Sequence, residues 1–69
     1  MKNKGLVKLR VDHDLTQPQA AKLLGVSTST YNFIENGKRR GSVKFWQTVQ
    51  DAFMLNDGEV WKLQNNICG

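Results

Sequence analysis

Residues 16–40, which read TQPQAAKLLGVSTSTYNFIENGKRR, decide the fold of this 69-residue chain. Thr16 is placed to cap a helix, because Gln19 three residues later completes a capping box and Pro18 lies in the first turn, where its missing N–H is harmless. Gly25 has the freedom at positive φ that suits a residue just past a helix end. The segment therefore predicts a helix that begins directly after Thr16 and ends before Gly25.

A second helix is predicted after a very short turn. Ser27 can cap it, its residues are about 28–35, and the Asn-Gly pair that follows ends it. Two short helices joined by a turn of three or four residues that contains glycine form a helix-turn-helix arrangement, here over residues 17–36. The steep crossing of such helices requires a small residue, which we expect at Ala21. Three apolar side chains are expected to fill the angle between the helices: Val26, Tyr31 and Ile34.

Apolar periodicity outside this segment predicts three further helices. The first covers about residues 4–13, and the fourth covers about residues 43–54 behind a Ser42 cap. A short fifth helix follows the capping box formed by Asn56 and Glu59. The residues expected to face inward from the first and fourth helices, or to flank those that do, are Leu6, Leu9, Arg10, His13, Leu15, Phe45, Trp46, Val49, Ala52 and Phe53.

Length and composition favour one small globular domain. A chain of 69 residues with 39% hydrophobic residues and a mean hydropathy of −0.51 can build a single modest core. We therefore predict an all-α fold, a compact bundle of about five short helices over residues 1–69, with a loose tail from about residue 65. No apolar run reaches membrane-spanning length and no signal-peptide core is evident, so a cytoplasmic location is expected.

The titratable residues favour neither a metal centre nor an enzyme. The single cysteine, Cys68, cannot form an internal disulfide, and with the single histidine, His13, it makes no set at metal-ligand spacing. No combination of nucleophile, base and oxyanion donors is evident either. We therefore expect no cofactor, no metal and no enzymatic activity.

The charge distribution points to a polyanionic partner. The chain carries a formal charge of +4 and a pI near 9.6. Four of its ten basic residues lie within seven positions: Lys38, Arg39, Arg40 and Lys44. Binding of such a cluster to a nucleic acid releases counterions, which drives association. Taken alone, however, a basic loop is more often only a solvated surface.

The quoted segment resembles the Cro/repressor-type helix-turn-helix family of phages and bacteria, often called the XRE family. The resemblance rests on Ala21 and Gly25, on the apolar positions named above, and on the ENGKR run of residues 35–39. It implies a lambda-repressor-like DNA-binding domain that regulates transcription and binds double-stranded DNA. It also implies a structural ion pair between Arg10 and Glu35, which would fix the first helix against the third.

The resemblance further implies that the third helix lies in the major groove. Its candidate base-contacting residues are Ser27, Thr28, Ser29, Asn32 and Phe33. Hydroxyls and amides can bond to base edges, and an aromatic edge can contact the thymine methyl group. Phosphate contacts are expected from Gln17, Lys38, Arg39 and Arg40.

The fifth helix has two alternative roles. Family members commonly pair through their C-terminal helices, so Val60 and Trp61 are candidates for the contact in a homodimer. A core this small can equally need Val60, Trp61 and Leu63 for its own packing.

Phe33 departs from the family pattern, because many relatives carry a polar base-contacting side chain there. The third helix also contains no Arg, Lys or Gln, the residues suited to bidentate base contacts. A second hypothesis is therefore a modulator or antirepressor that binds a repressor protein, with Phe33 as an apolar anchor beside Tyr31 and Asn32. A third arrangement packs Phe33 against its own core.

Overall fold

Five α-helices and no strands make up residues 2–65, the part of the chain that the computed structural model describes. The all-α bundle is confirmed, and its second and third helices form the predicted helix-turn-helix unit. In chain order the helices are α1 (Lys4–Asp12), α2 (Gln17–Leu23), α3 (Thr28–Glu35), α4 (Val43–Ala52) and α5 (Asp57–Gln64).

Side-chain caps determine where the helices begin. The predicted capping box at α2 is confirmed: the Thr16 hydroxyl accepts from the Gln19 N–H at 3.3 Å, and the Gln19 side chain accepts from the Thr16 N–H at 2.9 Å. The Asn56 and Glu59 box at α5 is confirmed in the same way. The sequence interpretation missed Asn3, whose side-chain oxygen accepts from the Leu6 N–H at 3.0 Å and caps α1.

Positive φ angles mark where four helices end. At each, the residue after the cap turns left-handed and the next backbone N–H reaches back over the final helical turn, which satisfies its free carbonyls. The first and fourth helices are shorter than predicted, because their left-handed residues, Asp14 and Met54, are not glycines and gave no sequence signal. The four residues and their φ angles are Asp14 (55°), Gly25 (72°), Gly37 (77°) and Met54 (55°).

The core lies where α2 and α3 meet, with α1 and α4 packed against it. Ala21 is only 1% exposed, as expected for close approach of α2 and α3. Six residues expected in or beside the core contribute less than predicted. Four of them are only partly buried, Leu9, Leu15, Val26 and Phe53, and two are exposed, His13 and Ala52. The fully buried apolar residues are Leu6, Ala20, Ala21, Leu24, Tyr31, Ile34, Phe45, Trp46 and Val49.

Helix α5 covers one side of the core without burying any residue fully. Val60 and Leu63 pack against the core, whereas Trp61 is 56% exposed. Val60 must therefore be removed from the predicted self-association surface, because its position on α5 turns it toward the core. A Cβ at Gly5 would lie 2.7 Å from the Leu63 side chain, so α1 and α5 approach closely there.

Neither a membrane span nor a metal cluster is found within residues 2–65. No helix in this range combines the length and apolar character needed to cross a bilayer. In the same range no three His, Cys, Asp or Glu side chains are grouped closely enough to hold a metal ion. Cys68 and the predicted loose tail after Asn65 lie outside the described residues.

Candidate nucleic-acid interface

Helix α3 has a buried face and an exposed polar face. Its buried face carries Tyr31, Ile34 and Glu35. The Ser27 hydroxyl is committed to the helix start, because it accepts from the Thr30 N–H at 3.1 Å and donates to the Thr30 hydroxyl at 2.9 Å. The residues predicted to contact bases are all accessible, with Asn32 partly buried and the others exposed: Ser27, Thr28, Ser29, Asn32 and Phe33.

The basic loop after α3 is fixed at both ends. At its start Gly37 is left-handed and the Lys38 N–H donates to the Phe33 carbonyl at 2.8 Å. At its end the indole N–H of Trp46, on α4, donates to the Arg40 carbonyl at 2.7 Å. Lys38, Arg39 and Arg40 are all exposed. The core therefore holds the backbone of a cationic loop directly beside the exposed face of α3.

Phe33 lies under two cations of that loop. Its side chain is 37% exposed and is not part of the core cluster. The Lys38 Nζ lies 5.9 Å from the ring centroid, and the Arg39 guanidinium carbon lies 5.7 Å from it. These distances fall within the range of cation–π attraction. Phe33 therefore belongs to a basic surface rather than to an isolated apolar patch.

The ion pair implied by the resemblance is present. Arg10 Nε lies 2.9 Å from Glu35 Oε2, and Arg10 Nη2 lies 3.2 Å from Oε1, so the guanidinium donates to both carboxylate oxygens in a bidentate pair. A third Arg10 nitrogen donates to the Leu15 carbonyl at 2.8 Å. Burial raises the pKa of Glu35, but the hydrogen bonds from Arg10 and Gln17 outweigh burial and leave that pKa below its ordinary value. Glu35 is therefore ionised at neutral pH.

The side chain of Gln17, a predicted phosphate contact, is hydrogen-bonded to two other side chains of the protein. Its side-chain N–H donates to Glu35 Oε1 at 3.0 Å, and its side-chain oxygen accepts from the Asn32 amide at 3.1 Å. Asn36 in turn donates to the Asn32 side-chain oxygen at 3.0 Å. No sequence signal indicated this connection, because its members lie on different helices and far apart in sequence.

Tyr31 does not belong to a docking surface. It is 1% exposed and part of the core. Its predicted role beside Phe33 in partner binding is therefore wrong, because a partner cannot reach a buried side chain. Among the described residues its hydroxyl has no hydrogen bond of good geometry, although it lies close to Glu35. Burial first, and the neighbouring carboxylate second, raise the pKa of Tyr31 well above its ordinary value.

Comparison with known proteins agrees with the fold. The Helix-turn-helix family profile matches residues 6–53. An uncharacterized HTH-type transcriptional regulator of Methanocaldococcus jannaschii is 42% identical over an alignment of 67 residues. The match covers 86% of this chain and 100% of that protein. Another of Archaeoglobus fulgidus is 31% identical over 62 residues, covering 78% of this chain and 89% of its own length. No solved structure gives a significant match. The chain belongs to the helix-turn-helix family, and within it to the Cro/repressor or XRE type.

Proposed function

We propose that this chain is a DNA-binding transcriptional regulator that places α3 in the major groove. The observation that carries the proposal is the continuity between the exposed polar face of α3 and the anchored loop of Lys38, Arg39 and Arg40. Base edges would meet the polar face, while the loop would meet the phosphates that flank the groove. The relatives named as transcriptional regulators support this assignment.

The phosphate contacts divide between side chains and backbone. Lys38, Arg39 and Arg40 supply charge, which sets affinity more than sequence preference. The Gln17 side chain is engaged with Glu35 and Asn32, so Gln17 would contact a phosphate through its backbone N–H at the start of α2. Pro18 has no N–H and the Gln19 N–H donates to the Thr16 hydroxyl, so the Gln17 N–H is the donor of this first turn that a phosphate would meet.

The alternative function is docking on a repressor protein, as an antirepressor of the kind found in phage switches. It is favoured by the 37% exposure of Phe33 and by the absence of Arg, Lys and Gln from α3. Against it, Lys38 and Arg39 lie over the ring and make the surrounding surface cationic. A polyanion fits that surface better than an apolar groove does, so DNA is the first partner in our proposal.

A homodimer belongs to the proposal as well. Trp61 is 56% exposed on α5, where it could pair with the same residue of a second copy. A two-fold dimer would bind a palindrome whose half-sites lie about one helical turn apart. Sedimentation at micromolar concentration should show a dimer that Trp61→Lys converts to a monomer, and an unchanged monomeric species would contradict pairing. Acting on DNA, the protein would work in the cytoplasm.

A gel-shift titration on the DNA that flanks its own gene, with random duplex as competitor, tests DNA binding. We expect competitor-resistant shifts whose affinity falls with salt. The double variant Arg39→Ala/Arg40→Ala should flatten the log–log salt slope by about 2, since each lost phosphate contact removes about 1. The control Lys4→Ala/Lys8→Ala removes the same charge from α1 and should leave the slope nearly unchanged.

A pull-down with any repressor protein encoded beside the gene of this chain distinguishes the alternative. If the shifts are weak and random duplex erases them, DNA regulation by this chain alone is contradicted. The repressor-docking function then requires that Phe33→Ala lower partner affinity by about 2 kcal/mol or more, as for an interface hot spot. In that case the Arg39→Ala/Arg40→Ala variant should keep its partner affinity.

A further inference from the structure

A continuous chain of hydrogen bonds runs from α1 to the exposed face of α3. It starts at Arg10, passes through the Glu35 carboxylate to the Gln17 amide, continues to the Asn32 amide and ends at Asn36. All the donor-to-acceptor distances along it lie between 2.9 and 3.2 Å. The buried ion pair is therefore connected to a residue that faces the proposed DNA site.

The ionised carboxylate sets the direction of every bond in this chain. A carboxylate can only accept, so Gln17 must turn its NH₂ group toward Glu35. The Gln17 oxygen then faces Asn32, so Asn32 must donate to it from its own NH₂ group. The Asn32 oxygen is left facing Asn36, whose NH₂ group donates to it. Reversing any one amide would place two donors or two acceptors against each other.

The internal bonds use half of the hydrogen-bonding capacity of Asn32. A side-chain amide has two N–H donors and two acceptor lone pairs. One Asn32 N–H donates to Gln17, and one lone pair of the Asn32 oxygen accepts from Asn36. One N–H and one lone pair of Asn32 therefore remain. Adenine presents an acceptor at N7 and a donor at N6 in the major groove, which a side-chain amide satisfies with one donor and one acceptor.

We infer that Asn32 is the adenine-specific residue of this interface, and that Gln17 is a positioning residue that transmits the polarity of the Arg10–Glu35 pair to it. The inference rests on the proposed function, because it names the base that this same site prefers. Among the polar residues on α3, Asn32 alone combines two fixed internal bonds with one donor and one acceptor to spare. The hydroxyls of Thr28 and Ser29 can rotate, so they discriminate less.

The test begins with selection of binding sites from a randomised duplex library by the wild-type protein. Each adenine of the selected site is then replaced with 7-deazaadenine, which lacks the N7 acceptor. We expect a loss of about tenfold at one adenine in each half-site, within the range of a bidentate contact. Asn32→Ala should abolish the sensitivity at that position alone, and Gln17→Ala should reduce it while other positions keep theirs.

Gln47→Ala is the matched control, because it truncates an exposed amide on α4, outside both the proposed interface and the chain of hydrogen bonds, and should retain the deaza effect. Helicity by circular dichroism verifies folding. Asn32→Leu and Gln17→Met keep the size of the side chain without the amide, and each replaces the alanine variant of the same residue if that variant unfolds. If a specific site is selected but Asn32→Ala keeps every base preference, or Gln17→Ala matches wild type, the inference is overturned while the proposed function stands. If no site is selected, both fail.

Discussion

Helices α3 and α5 both have eight residues, but different forces hold them. α5 is well specified by local sequence: it has a capping box, acidic residues in its first turn and Lys62 in its last, yet buries no residue fully. α3 has no helpful charge in either terminal turn, but it buries Tyr31, Ile34 and Glu35. Tertiary contacts therefore contribute more to the position of α3, and local signals contribute more to α5, although Val60 and Leu63 also pack against the core.

This difference suits a recognition helix. Its side chains must keep a fixed position relative to the basic loop, and a helix held only by its caps would fray and shift. The Arg10–Glu35 pair and the core contacts fix both the position of α3 against the bundle and its rotation about the helix axis.

Removing the carboxylate that anchors α3 should have the largest effect. Glu35→Ala leaves Arg10 partly buried without its partner, which costs about 3–5 kcal/mol of unfolding free energy. Glu59→Ala, the matched acidic residue on α5, removes half of a capping box and should cost about 0.5–1 kcal/mol. Urea denaturation followed by circular dichroism measures both. Equal losses would contradict the view that tertiary contacts hold α3 more than caps hold α5.

Acid should weaken the anchor of α3 without mutation. The pKa of Glu35 is lowered by its hydrogen bonds in the folded state, relative to an ordinary value of 4.5. A carboxyl group whose pKa is lower in the folded state than in the unfolded state stabilises the fold. This stabilisation is complete above the pKa of the unfolded state and is lost as pH falls through the pKa of the folded state. Stability should therefore decline below about pH 4.5. Glu35→Gln should show a shallower decline over the same range, and an identical pH profile would assign the loss to other groups.

Asn3 joins the two regions, so its removal should have an intermediate effect. Its side chain caps α1 and donates to the Leu63 carbonyl on α5 at 2.8 Å, and its backbone N–H donates to the Glu35 carbonyl at 2.8 Å. Asn3→Ala should cost about 1–2 kcal/mol, through the lost cap and an unpaired carbonyl. Asn3→Ser keeps a capping oxygen and should recover part of it. Chemical denaturation tests this, and equal losses for both variants would indicate that the cap contributes nothing.

Local signals were enough to predict the bounds of α2 and α3 and the cap of α5. The ends of α1 and α4 were predicted one or two residues late, because Asp14 and Met54 take the left-handed turn that sequence reasoning assigns to glycine. A short-range pattern cannot reveal the energy that the remaining fold supplies to such a strained residue.

The residues of the candidate site also fall into two groups, those that local sequence patterns predict and those that only the packing of the helices reveals. The exposed polar positions of α3 and the basic loop could be named from the sequence, since helical periodicity and charge clustering are local. The same periodicity that places Tyr31 with Ile34 in the core excludes it from the surface. The connection of Gln17 to Glu35 and Asn32 spans 18 and 15 residues, so only the packing of α2 on α3 brings these side chains together.

The smallest change should stabilise the junction that leads into α5. Met54 is 90% exposed, has a φ of 55° and therefore contributes strain without packing. Glycine has no Cβ to clash in the left-handed region, so Met54→Gly should raise the unfolding free energy by about 1 kcal/mol, less the entropy that glycine adds to the unfolded chain. Met54→Ala keeps the strain and should change little. A thermal melt of the three proteins measures the effect. A lower melting temperature for the glycine variant would contradict the prediction, because it would show that the entropy glycine adds to the unfolded chain exceeds the strain at Met54.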